Sequence, residues 1–249
     1  MKEENKSEIR QHFLMAVCGG FFGGYAIFGR MATFGSAQTA NLIELVGDVL
    51  GRNITDALLR IGALAIYVGA MVLFTALRKK TTLNLKYLVV LIEAAAALAL
   101  GFFPENMSPI LAVYPIFFAM SFQWCVFKGA AGYGCSTIFS TNNVKQTVLS
   151  FSEFFMTDAE KEEERREYLR KGTFFGTTLL CFHSGVALAF LGLQMFGLRA
   201  AWFSLILIFA GLCAVEAESG LLTGWLRRAV RVEEQIEMQS ERMTEYPDK

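Results

Sequence analysis

Thirty-two of the chain's 46 charged residues are confined to four short segments, 1–11, 78–86, 158–171 and 227–249. Between them the sequence is almost continuously apolar. A helix needs roughly 20 apolar residues to cross about 30 Å of hydrocarbon. Six stretches approach that length: 12–29, 57–77, 86–103, 108–127, 172–194 and 198–222. With 54% hydrophobic and 18% charged residues, against about 45–50% and about 25% in soluble domains, the chain reads as a polytopic all-α membrane protein. Lys+Arg and Asp+Glu tie at 23 each, so no basic surface points to nucleic acid.

The expected organisation is a cytoplasmic tail over 1–11, one transmembrane domain over 12–225 and a second cytoplasmic tail over 226–249. Cytoplasmic loops collect Lys and Arg. Four basic residues lie in 78–86, five in 161–171 and three in 227–231, all on one side if six helices cross in order. Arg30, Arg52, Arg60 and Arg199 fall on the other. Both termini are therefore expected in the cytoplasm of a bacterial inner-membrane protein. Segment 158–171 carries both signs, with Glu162 and Arg166 four apart, and reads as a solvated cytoplasmic helix. The five cysteines form no CxxC pair; buried free thiols, no metal and no cofactor are expected.

Segments 30–50 and 130–156 are too polar for lipid-facing helices and too apolar for free loops. At an offset of 102, Gln38-Thr39-Ala40-Asn41-Leu42 falls on Ser140-Thr141-Asn142-Asn143-Val144. Glu44 and Gln146 follow the aligned asparagines by three residues, which predicts two helix starts with Asn N-caps. Three spans per half make the second half enter from the opposite face. Two inverted three-helix repeats are thus expected, about 12–103 and about 108–222, each with a broken or re-entrant segment carrying Thr-x-Asn. Such breaks are tolerated in hydrocarbon only where protein or a cavity surrounds them, and in transporters they mark a midplane substrate site.

The same residues resemble the DUF1275 (YoaK/UPF0700) family of bacterial integral membrane proteins. Its pattern of Gly-Gly-x-x-Asp, a Phe and Gln-Thr-Gly-Asn is met here by Gly19, Gly20, Phe34, Gln38, Thr39 and Asn41. Its second-half Gln-Asn, basic residue and Thr-Gly-Asn are met by Gln123, Lys128, Thr141 and Asn143. Gly23 stands at the family Asp position, Ala40 and Asn142 at the two motif glycines, and Trp124 after the Gln. The resemblance implies a divergent member with the family's fold; it carries no activity over.

The expected function is a secondary transporter of a small solute, its site formed by Gln38, Thr39, Asn41, Gln123, Thr141 and Asn143, with Lys128 as the nearest charge. A charged group at the bilayer centre costs about 2.5–3.5 kcal/mol on insertion scales. Glu44, Glu93 and His183 are therefore candidates for proton or charge coupling, and Glu93 or Glu44 for pairing with Lys128. Glu216 and Glu218 are expected to reach the cytoplasmic interface. A channel for a small solute or ion is the alternative. An intramembrane enzyme is less favoured, because no HExxH, Gly-x-Ser-x-Gly, paired-Asp or Walker A motif is present. The expected partners are the bilayer and the small-molecule or ion substrate; a homo-oligomer is compatible with the sequence.

Overall fold

The computed structural model describes residues 3–30 and 38–224. Phe34 and the expected C-terminal tail, 226–249, lie outside the described residues. Nearly everything described is helical. The helices are α1 (Glu3–Arg30), α2 (Gln38–Leu50), α3 (Ile54–Lys80), α4 (Leu85–Phe102), α5 (Pro109–Ala112), α6 (Tyr114–Val126), α7 (Thr141–Met156), α8 (Glu162–Phe196) and α9 (Ser204–Ser219). A two-residue hairpin, β1 (Gly129–Ala130) and β2 (Tyr133–Gly134), separates α6 from α7. Its turn places Ala131 and Gly132 at φ 53° and 83°, the paired positive values that match the twist of a tight hairpin.

Four helical stretches among the described residues are long and apolar enough to cross a membrane: Lys6–Arg30, Ile54–Lys80, Leu85–Phe102 and Glu162–Ser219. The last holds two of the predicted spans. α8 ends at Gly197, whose φ of 56° and ψ of −144° suit glycine alone, and a 3-10 turn over Gly197–Phe203 leads into α9. The predicted span 108–127 is divided at Val113 into α5 and α6. Residues 162–171 form no separate helix. They are the first turns of α8, continuous with its apolar part, and the anticipated Glu162–Arg166 pair sits there at 3.0 Å.

α1 is the central helix: 67% of its most apolar window is buried, against 22% for α3. Its contact with α8 is backbone to backbone. A Cβ on Gly20 would lie 1.8 Å from the Phe182 carbonyl oxygen, and one on Gly185 would lie 2.0 Å from that of Val17. Gly24 meets Val186 and Ala189, and Gly29 meets Leu193, so the two helices run parallel. Small residues allow this approach where lipid supplies no hydrophobic drive for helix association. α3 and α6 also run parallel, with Gly62 against Tyr114 and the Tyr67 carbonyl accepting from Ser121 at 2.7 Å. α2 folds back on α3, α7 folds back on α8, and α4 packs between α6 and α9.

Polar contacts tie α1, α4 and α9 together at one end, and α1 to α4 at the other. At one end Lys86 Nζ donates to Gln11 (2.7 Å) and pairs with Glu218 (2.5 Å), while Tyr87 donates to Glu216. Both glutamates are thus held by partners from α4 at this end. At the other end Arg30, 4% exposed, donates to the carbonyls of Pro104 (2.8 Å) and Phe103 (3.0 Å). It thereby satisfies acceptors that the end of α4 leaves open.

Candidate functional site

The two segments singled out by the repeat come together. A cavity of about 1030 Å³ is lined by Gln38, Thr39, Ala40, Leu42 and Ile43 of α2 and by Ser140, Thr141, Asn142 and Lys145 at the start of α7. Tyr67, Trp124 and Phe139 complete its wall. Tyr67 is the central residue of α3, which puts the cavity near mid-height of the helix stack. Trp124 and Phe139 meet edge to face, with centroids 5.2 Å apart.

The asparagines do a different job from the one predicted. Residues 38–40 are already helical before Asn41, and α7 begins at Thr141, so Asn41 and Asn143 stand inside their helices and not at the N-cap. Asn41 is fully buried toward α3, donating to Gln38 Oε1 (2.8 Å) and to the Arg60 carbonyl (3.4 Å). Asn143, 1% exposed, donates to the carbonyls of Ser136 (2.8 Å) and Phe139 (3.3 Å) and accepts from the Cys135 thiol (3.3 Å). It therefore holds the non-helical segment 135–140 against the helix that follows it. That segment crosses α1 at Gly19, where a Cβ would fall 2.3 Å from the Thr137 carbonyl oxygen. Its buried, non-helical backbone is covered by protein, as hydrocarbon requires.

Gln123 is also buried behind the cavity. Its Nε2 donates to the Met15 carbonyl (2.8 Å) and to Thr137 Oγ1 (2.9 Å). Of the predicted set, Gln38, Thr39 and Thr141 line the space, whereas Asn41, Asn143 and Gln123 fix its walls. Lys128 is exposed beside the hairpin and forms no ion pair among the described residues. The expected pairing of Lys128 with Glu44 or Glu93 is not formed. Glu44 pairs with Arg60, which also holds Asp48 at 2.6 Å. The cation on the cavity wall is Lys145.

His183 lies on the outer face of α8, its Nδ1 2.9 Å from the Leu179 carbonyl of its own helix. Two buried ionisable groups stand elsewhere. Glu93 is fully buried in α4, and neither carboxyl oxygen has a hydrogen-bond partner among the described residues. His12 is 1% exposed, stacked 5.2 Å from Phe174, and both its ring nitrogens likewise lack partners among the described residues. Sequence reasoning passed over His12 and Tyr67, and left Lys145 out of the site. The signal for Lys145 was its position one helical turn after Thr141, on the same side of α7.

No curated protein and no solved structure is significantly similar to the chain. Residues 11–214 match the family described as "Protein of unknown function (DUF1275)", and the motif residues Gly19, Gly20, Gln38, Thr39, Asn41, Gln123, Lys128, Thr141 and Asn143 all fall within that match. The chain belongs to the DUF1275 family.

Proposed function

We propose that the protein is a secondary transporter whose small solute binds in the cavity between the starts of α2 and α7. The observation that carries this reading is that Gln38, Thr39, Ala40, Leu42 and Ile43 of α2 and the first turn of α7 line one cavity together with Tyr67, the central residue of α3. The first turn of α7 offers unpaired amides and the positive end of its dipole at the edge of the space. Lys145 and the hydroxyls of Thr39, Ser140 and Thr141 add further donors, and no carboxylate lines the cavity among the described residues. The solute this suits carries an anionic or carbonyl oxygen and an apolar body that can lie on Tyr67, Trp124 and Phe139.

In this reading six helices cross the membrane as two inverted repeats. The packing supports it: exchanging α1, α2, α3 and α4 for α6, α7, α8 and α9 reproduces the neighbours. α1 on α8 becomes α6 on α3, α2 on α3 becomes α7 on α8, and α4 on α6 becomes α9 on α1. The basic segment 78–86 and the helical N-terminus meet at the Gln11–Lys86–Glu218 end, and the positive-inside rule puts that end in the cytoplasm of a bacterial cell. Thr82→Cys and Asn106→Cys, each in a cysteine-free background, test the orientation. Position 82 should label from the cytoplasm and position 106 from outside; the reverse pattern would invert the proposed topology.

The site itself is tested by screening small organic anions and neutral carbonyl compounds for a rise in the melting temperature of the purified protein. A solute that stabilises the wild type should lose its effect with Thr141→Val and with Lys145→Met, both of which leave the cavity walls standing. At 100 times Kd a bound solute adds about 2.7 kcal/mol, ample for detection. Equal shifts for wild type and both variants would move the site elsewhere. Saturable uptake into proteoliposomes then separates a transporter from a channel.

A further inference from the structure

We infer that Glu93 is a proton-binding site in the membrane-embedded core, and that its loading and unloading is linked to movement of the two halves of the protein. The inference rests on the transporter reading for its purpose, but its chemistry stands on Glu93 alone. Glu93 lies midway along α4 and has no exposed surface. Neither of its carboxyl oxygens has a hydrogen-bond partner among the described residues. A carboxylate stripped of water, donors and counter-charge is prohibitively costly in such a place. In this conformation the group therefore holds its proton.

A permanently neutral acid would be a poor structural choice. Its O–H is a donor with no acceptor here, and an unsatisfied buried polar group costs about 1–3 kcal/mol. A leucine at this position would fill the space without that cost. The carboxyl is better matched by a second conformation in which water reaches it and the proton leaves.

Its surroundings fit that exchange. The helices packed on α4 carry several titratable or charged groups: Tyr114 and Cys125 on α6, Arg199 in the 3-10 turn, and Cys213, Glu216 and Glu218 on α9. Glu216 and Glu218 are engaged with Tyr87 and Lys86 at the membrane end. Cys18 of α1 is fully buried in the same apolar core as the neighbouring positions of α4. One helical turn before Cys18, the Met15 carbonyl accepts from Gln123, whose Oε1 is a second buried acceptor with no partner among the described residues. Glu93 of α4 and Gln123 of α6 are thus both buried with polar atoms unpartnered among the described residues. α4 packs on α6 and α9, both from the second half, so any sliding of the halves changes what surrounds Glu93. Proton binding is written simply: carboxylate plus an aqueous proton gives the neutral acid, with no other bond made or broken.

The test is an infrared titration of the purified full-length protein in lipid, from about pH 5 to about pH 9. The expected result is a protonated-carboxyl C=O band that diminishes toward alkaline pH, shifts in D₂O and is missing from Glu93→Gln. Glu93→Asp, which retains a shorter carboxyl, should keep a titrating band at a displaced frequency and midpoint, and it serves where the glutamine variant does not fold. A band that persists unchanged across the range would make Glu93 a fixed structural acid and overturn the proposal. So would a titrating band that survives both substitutions unaltered. The readout needs no solute: a titrating Glu93 in a protein that moves nothing removes the transporter reading only. A silent Glu93 in a working transporter removes the proton site only.

Discussion

Gly20→Ala and Gly185→Ala should each abolish a monodisperse folded protein. The added methyl of Gly20→Ala would arrive 1.8 Å from the Phe182 carbonyl oxygen, and that of Gly185→Ala 2.0 Å from the Val17 carbonyl oxygen. Overpacking typically costs about 1–3 kcal/mol when side chains can move aside. Here the obstacle is main chain inside a regular helix, which cannot rotate away. α1 and α8 would have to separate along a contact that also includes Gly24 and Gly29, so about 3 kcal/mol or more is expected. Gly47→Ala and Gly69→Ala are the controls, since nothing lies within 4 Å of a Cβ at either position. These should be neutral, or stabilising by up to about 1 kcal/mol through helix propensity. Size-exclusion profiles and melting temperatures of the four variants decide the matter. Similar behaviour in all four would mean that α1 and α8 are not packed this closely.

The helices were legible because hydrocarbon imposes a length and forbids charge, and both constraints act on composition along the chain. The pairing of Glu162 with Arg166 was legible for a local reason, their spacing of four residues on one helix. What could not be read was azimuth. Asn41 and Gln38 are neighbours in the motif, yet Asn41 turns inward to α3 while Gln38, Thr39, Leu42 and Ile43 face the cavity. A rotation of 100° per residue separates wall from lining, and only the packing of α2 on α3 sets where that rotation begins. The two histidines make the same point. His183 stands in a clear apolar run and drew attention, but it lies on the outer face of α8. His12, at the boundary of the charged N-terminal segment, is the buried one. Lys128 reads from the sequence as the nearest charge because it ends an apolar span and stands at the family's basic position. The hairpin that begins at Gly129 carries it away from the cavity instead.

Arg60→Ala should release α2 from α3 and, with it, one wall of the cavity. Arg60 is the point at which α2 is fastened. Its guanidinium holds Asp48 through Nε at 2.6 Å, pairs with Glu44 and reaches Asn41 Oδ1 at 3.4 Å, and its own carbonyl accepts from Asn41. Three positions of α2, spanning two turns, converge on one side chain that is only 13% exposed. Removing one member of a buried pair costs about 3–5 kcal/mol. Glu44 is 45% exposed and water can take over its share, so about 2–3 kcal/mol is expected. The loss falls on α2 because the α1–α8 contact and the Gln11–Lys86–Glu218 cluster share no residue with it. Hydrogen exchange should therefore rise over 38–50, by tenfold for each 1.4 kcal/mol lost, while α1 and α8 stay protected and the protein elutes unchanged. Arg60→Lys should restore little, since a single ammonium cannot bridge carboxylates that the planar fork spans. Arg60→Gln combined with Asp48→Asn should recover part of the protection by removing the stranded charge. Any solute stabilisation that Thr141→Val abolishes should be lost with Arg60→Ala as well, although Arg60 does not line the cavity. Unchanged exchange across 38–50 would show that α2 is held by its apolar face against the lipid and α3, and that the Arg60 cluster contributes nothing to the geometry of the site.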